Sequence, residues 1–160
     1  MLLYIVRHAF AGEHGDPRYP DDSLRPVTKK GGKRFDRLVK RLAKSGFKPT
    51  IVGVSPFLRC LQTAEILANR LDGPVRPQMV DAFAPGCRVE DLLAWARRFS
   101  NAELAFVGHA PDVDTITGEL IGAGRPIHFA KGSIAAIEFS QEIVLGKGDL
   151  KWLVIPKLIS

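Results

Sequence analysis

Apolar and polar positions follow two rhythms along this chain. Short runs such as "LLYIV" from Leu2, "TIVGV" from Thr50 and "LAFVG" from Leu104 are apolar throughout, as strands covered on both faces are. Between them Phe35, Leu38, Val39, Leu42 and Ala43 recur at the spacing of one helical face. That spacing predicts an amphipathic helix from about Lys29 to Lys44, capped by Thr28 and stopped at "SG". "SPFLRCLQTAEILANRL" predicts a second helix, with Ser55 in the cap position and Pro56 at the first helical position, where its missing N–H costs nothing. A weaker strand in "PVRPQMV", a helix in "VEDLLAWARRF", the strand of "ELAFVGH" and a helix in "PDVDTITGELIG", opened by Pro111, follow in turn. The last third holds two strands, "GSIAAIEFS" and "LKWLVI", joined as a hairpin by the Gly-rich turn "LGKGD". The segment from Glu13 to Arg25, interrupted by Pro17 and Pro20, reads as a loop.

Strands alternating with helices imply an α/β fold: a three-layer α/β/α sandwich with a mostly parallel central sheet and an antiparallel element at the end. A length of 160 residues supports one domain spanning 1–160. Apolar residues at 46% and charged residues at 25% exclude a disordered or fibrous chain. No apolar run approaches the roughly 20 residues that cross a bilayer, and no basic leader or cleavage site precedes Tyr4, so no membrane partner and a cytoplasmic location are expected. Cys60 and Cys87 show neither metal-ligand nor redox spacing and are read as reduced packing residues. The four histidines likewise lie at no recognised metal-ligand spacing.

Charge changes the picture at one place. The net charge of +6 comes largely from "KKGGKRFDRLVKRLAK". Its one aromatic, Phe35, belongs to the apolar helical face and no other is interleaved with those cations, so the segment is read as the solvated face of the first helix, with no nucleic-acid partner. A positive field still favours a phosphorylated partner.

The chemistry sits at strand ends, where ligands gather in open α/β sheets. The first strand ends in Arg7 and His8, the second leads to Ser55-Pro56 and then Arg59, and "LAFVG" ends in His109. Singly, each has a structural explanation. Four cationic or potentially cationic groups on one rim repel one another unless an anion sits among them, and guanidinium forks match phosphoryl oxygens. A histidine there can act as a nucleophile if one ring nitrogen is free and the other is pinned.

In order and spacing, "LYIVRHA", "SPFLRCLQTAEIL" and "LAFVGHAPDV" resemble the signature of the histidine phosphatase superfamily (branch 1), the phosphoglycerate mutase-like group. "SLRPVTKKGG" and "FAKGSIAAIEF" are similar to the short SixA-type phosphohistidine phosphatases. The resemblance covers nearly the whole chain and implies the phosphoglycerate mutase-like fold. It also implies a covalent mechanism without metal or cofactor: His8 takes up the phosphoryl group, Arg7 and Arg59 hold its oxygens, and His109 completes the pocket. Ala9 stands where many members carry glycine, so the backbone there must tolerate a small side chain; the long acid-bearing loop of the mutases is missing or shortened, so mutase activity is not expected.

The proton donor discriminates between substrates. An alkoxide leaving group needs a positioned acid, whereas imidazole departs readily once protonated from solvent. Asp81 is the leading acid candidate, with Asp16, Asp21, Asp22 and Asp112 as alternatives; Arg25 is either a substrate contact or an ion-pair partner, and His14 and His128 match no motif position. The expected substrate is phosphohistidine in a protein domain, with a small phosphoester as the alternative and a non-catalytic phosphate-binding or nucleic-acid-binding module as the reading from another class. A monomer is expected.

Overall fold

The computed structural model describes residues 1–159. Six strands, β1 (Leu2–Arg7), β2 (Ile51–Val54), β3 (Gln78–Met79), β4 (Leu104–Gly108), β5 (Ile134–Glu138) and β6 (Asp149–Val154), form one sheet in the order β3-β2-β4-β1-β5-β6. The first four strands are parallel, β5 runs antiparallel to β1, and β6 returns antiparallel to β5.

Four helices cover the sheet: α1 (Lys29–Lys44), α2 (Leu58–Ala68), α3 (Val89–Ala96) and α4 (Asp112–Ile121). Because side chains alternate across a strand, β1 sends Leu3 and Ile5 to one face and Tyr4 and Val6 to the other. The first set packs with Leu92 and Trp95 of α3 and Ile116 and Leu120 of α4. The second packs with Phe35 and Leu38 of α1 and Cys60, Ala64 and Leu67 of α2. The result is the three-layer sandwich expected from the alternation of elements. Each fully buried Leu, Ile or Phe contributes roughly 1.5–3 kcal/mol of transfer free energy to it. At Gly53, in the middle of β2, an added Cβ would stand 2.7 Å from Cζ2 of Trp95, so only glycine lets that indole lie against the sheet.

Thr28 caps α1 as expected, its hydroxyl accepting from Gly31 N at 3.0 Å. Other boundaries differ from the sequence reading. The second helix begins at Leu58 with Phe57 as its cap residue, because Ser55 is drawn into the interior by a tertiary contact, and neither Ser55 nor Pro56 occupies its predicted position. Strand β3 shrinks to two residues next to Pro77, which has no N–H for a ladder. Helix α3 stops at Ala96, before the predicted "RRF" turn, and Pro111 caps α4 from just outside it. The β5–β6 hairpin is present, but its connection runs over residues 139–148 and the pair carries an irregularity at Ala136/Ile137. Within the Glu13–Arg25 loop, Asp22–Leu24 form a 3₁₀ turn with Asp21 as its cap, accepting from Ser23 N.

Strand register positions the site. Arg7 lies opposite Gly108 and Val54 opposite Val107, so β1, β2 and β4 end at one level. The ladder continues through His8 N to Gly108 O at 3.0 Å and Ser55 N to Val107 O at 3.0 Å. Among the described residues no helix is long and apolar enough to cross a membrane.

Candidate active site

Arg7, His8, Arg59 and His109 come together at the carboxyl end of the parallel strands. The rings of His8 and His109 lie 5.5 Å apart, and both guanidiniums are close enough to make His8 less basic. His8, Arg59 and His109 are all buried.

His8 is held by its own backbone surroundings. Its Nδ1 lies 2.8 Å from Ala9 O, and because a carbonyl only accepts, Nδ1 carries the proton. The lone pair therefore resides on Nε2, which makes no hydrogen bond among the described residues. Burial first, then the nearness of His109 and the charges of Arg59 and Arg7, push the His8 pKa down to about 3, against an opposing contribution from the Ala9 bond. The ring is thus neutral at pH 7, with an unprotonated Nε2. Thr63 ties this segment to α2: its Oγ1 accepts from Ala9 N at 3.0 Å and donates to Arg59 O at 2.6 Å.

His109 is likewise kept neutral, its pKa lowered to about 3 by burial and then by Arg59. Its Nε2 shares a 2.7 Å hydrogen bond with Ser55 Oγ, while Cys60 Sγ lies 3.5 Å from the same nitrogen and the Phe57 ring packs edge-on. This is the contact that takes Ser55 out of its predicted capping role. Burial pushes the Cys60 thiol up to about 12, which leaves it an inert packing group, as its spacing implied.

The two guanidiniums are fixed from outside the cradle. Arg7 donates from Nη1 to Phe129 O at 2.6 Å, and the Phe129 segment is in turn held by Asp114, whose Oδ1 accepts from Phe129 N at 3.1 Å. Arg59 donates from Nη1 to Asp22 O at 2.8 Å and pairs through Nη2 with Asp22 Oδ2 at 3.1 Å. The Nε atoms of both Arg7 and Arg59 are buried without a protein partner. Buried charged donors left open in this way fit an oxyanion.

Arg25 resolves as an ion-pair partner: its Nε donates to Asp22 Oδ1 at 2.8 Å and its Nη1 to Ala11 O at 2.7 Å. The carboxylates considered as acids lie elsewhere or are committed. Asp22 is held down to about 2, first by its bond from Arg25, and Asp16 to about 2 by Arg18. Asp21 caps its own turn, and Asp112 Oδ2 accepts from Gly86 N at 2.8 Å. Asp81 is exposed at the start of the 3₁₀ turn after β3; its carbonyl accepts from Ala84 N at 3.1 Å, and its carboxylate makes no hydrogen bond or ion pair among the described residues. His14 and His128 stand at the margin, beside Asp22 and Asp114 respectively. A recess of about 1180 Å³ lined by Met1, Phe99, Glu103 and Glu138 lies at the opposite end of β1 and β4 and includes none of the four clustered residues.

Ser55, Thr63 and Asp114 were not singled out as site residues by sequence reasoning. The signal for the first two lay inside the "SPFLRCLQT" motif, where a Ser at a strand end and a Thr one turn after Arg59 both face inward.

Residues 3–83 match the model of the histidine phosphatase superfamily (branch 1). This chain belongs to that superfamily. An uncharacterised protein of Picosynechococcus sp. is 40% identical over 131 residues, spanning 80% of this chain and 77% of the relative. Phosphohistidine phosphatase SixA of Escherichia coli is 26% identical over 159 residues, 98% of this chain and 94% of that one. A solved structure of the protein histidine phosphatase SixA complexed with tungstate superposes with a TM-score of 0.86 at 26% identity, covering 100% of both chains. This superfamily member therefore has the SixA-like, phosphoglycerate mutase-like fold that its motifs implied.

Proposed function

We propose that this chain is a phosphatase that works through a covalent phosphohistidine intermediate on His8, with protein phosphohistidine as its substrate. The observation that carries the reading is the state of His8. Its Nδ1–H is pinned by Ala9 O and its ring is neutral, so the lone pair is on Nε2, beside two guanidiniums whose buried Nε atoms lack protein partners. The SixA structure with tungstate supports it, since tungstate is a tetrahedral oxyanion like phosphate.

In the proposed reaction His8 Nε2 attacks phosphorus in line and the bond to the leaving nitrogen breaks. Arg7 and Arg59 take the equatorial oxygens, where charge is spread in a phosphoryl-transfer transition state, and His109, held by Ser55, closes the cradle. The departing imidazole takes a proton from solvent. Water then attacks the phosphorylated His8, its oxygen going to phosphate and its proton to the medium, and Nε2 recovers its lone pair. None of the five candidate carboxylates hydrogen-bonds either imidazole among the described residues, which favours a P–N bond that needs no positioned acid. A second reading, hydrolysis of small phosphoesters, is favoured by the reach of the Glu13–Arg25 loop to Arg59, which walls one side of the cradle.

The test is a side-by-side assay of a phosphohistidine protein and a panel of phosphomonoesters, with acid-labile phosphoenzyme trapped by rapid quench. Wild-type protein is expected to favour phosphohistidine by orders of magnitude. His8→Ala is expected to form no phosphoenzyme while still binding tungstate. Turnover surviving His8→Ala overturns the mechanism, and equal rates on both substrate classes overturn the substrate.

A further inference from the structure

The motif residues make the cradle cationic, yet a carboxylate is built into its rim. Asp22 is tethered at every polar atom beyond its own N–H. Its Oδ1 accepts from Arg25 Nε at 2.8 Å and lies 3.1 Å from His14 Nδ1. Its Oδ2 pairs with Arg59 Nη2 at 3.1 Å, and its carbonyl accepts from Arg59 Nη1 at 2.8 Å and from Arg25 N at 3.2 Å. Arg25 is itself buried and anchored to Ala11 O and Gly12 O, so the assembly is a fixed strut. The carboxylate remains 26% exposed, which places it at the mouth of the site. It also stands near enough to His109 to raise that ring's basicity.

A carboxylate that merely filled the phosphoryl seat would need freedom to leave. The multiple tethers of Asp22 favour one that stays while the phosphoryl group binds against the open faces of Arg7 and Arg59. The geometry points to Asp22 as a specificity-determining residue: a fixed anion at the mouth that admits phosphoryl groups on neutral or cationic leaving groups and disfavours those carrying a carboxylate beside the phosphorus. Phosphorylated imidazole on a protein surface meets that condition, whereas phosphorylated hydroxy acids and free phosphoserine do not. This rests on His8 as the site of phosphoryl transfer.

Two aryl esters isolate the effect, 3-carboxyphenyl phosphate and 3-carbamoylphenyl phosphate, which have nearly the same shape and differ by one charge. Wild-type kcat/KM is expected to favour the carbamoyl ester. Asp22→Asn is expected to shrink that preference roughly tenfold, the scale of a like-charge pair about 6 Å apart at intermediate dielectric. Raising the salt on wild-type protein is expected to shrink it too, which tests the idea even if the variant folds poorly.

No preference in wild-type protein, a preference insensitive to salt, or an equal loss on both esters in Asp22→Asn overturns the proposal; the last would make Asp22 only a strut for Arg59. If neither ester turns over and a phosphohistidine protein is not turned over either, the phosphatase reading is what fails; if that protein is turned over and neither ester reacts, the esters are compared as ligands. The same preference is then read from the two dissociation constants by calorimetry, with the same outcomes deciding.

Discussion

Mild acid should destabilise this protein through the two site imidazoles before the ion-paired Asp22 and Asp16 respond. His8 and His109 have folded pKa values near 3 against an ordinary 6.5, both depressed chiefly by burial. The unfolded chain therefore binds protons below pH 6.5 that the folded chain refuses, and stability falls as pH drops from about 6.5 toward 3. At pH 5 each group lies about 1.5 units below its unfolded value, which costs about 2 kcal/mol per imidazole and about 4 kcal/mol for the pair. Asp22 and Asp16 contribute with the same sign but in a lower window, between their ordinary 3.8 and about 2. Urea unfolding at pH 7.5, 6.5, 5.5 and 5.0, compared with His8→Asn/His109→Asn, isolates the effect. The wild-type protein should lose most of those 4 kcal/mol, roughly, across the series while the double variant stays nearly flat. Equal slopes in the two proteins would refute the claim that the imidazoles are buried in the neutral state.

Two further outcomes follow from single contacts. Ser55→Ala leaves His109 Nε2 without its 2.7 Å partner in a buried site; a loss of about 1–3 kcal/mol in stability and a drop in kcat larger than any change in KM are expected, measured by urea unfolding and steady-state kinetics. Gly53→Ala sets a methyl group against the Trp95 and Phe83 rings, and calorimetry should show a destabilisation of about 1–3 kcal/mol with the oxyanion site still able to bind tungstate.

The amino-acid order by itself determined what depends on near neighbours along the chain. The apolar runs that become β1, β2 and β4, the face of α1 with its Thr28 cap, and the α/β class are all encoded within windows of a few turns or strand residues. The Arg-His pair, Ser-Pro-x-x-Arg and Gly-His were legible for the same reason: each is a short segment whose side chains share one strand end or one helical turn.

Tertiary structure alone decided which of these ends meet. The insertion of β4 between β1 and β2, with Arg7 opposite Gly108, brings His8 beside His109 across a hundred residues of chain, and no local pattern specifies that register. The same pairing pulls Ser55 inward to His109, so the serine's local preference for a helix cap yields to a buried hydrogen bond. In the sequence Asp22 stands as one of several acid candidates and Arg25 as either a substrate contact or an ion-pair partner; their pairing with each other and with Arg59 depends on the fold, which delivers Arg59 from another element. Long-range pairing is selected by the free energy of the whole packed sheet, and that quantity is not written in any one stretch of residues.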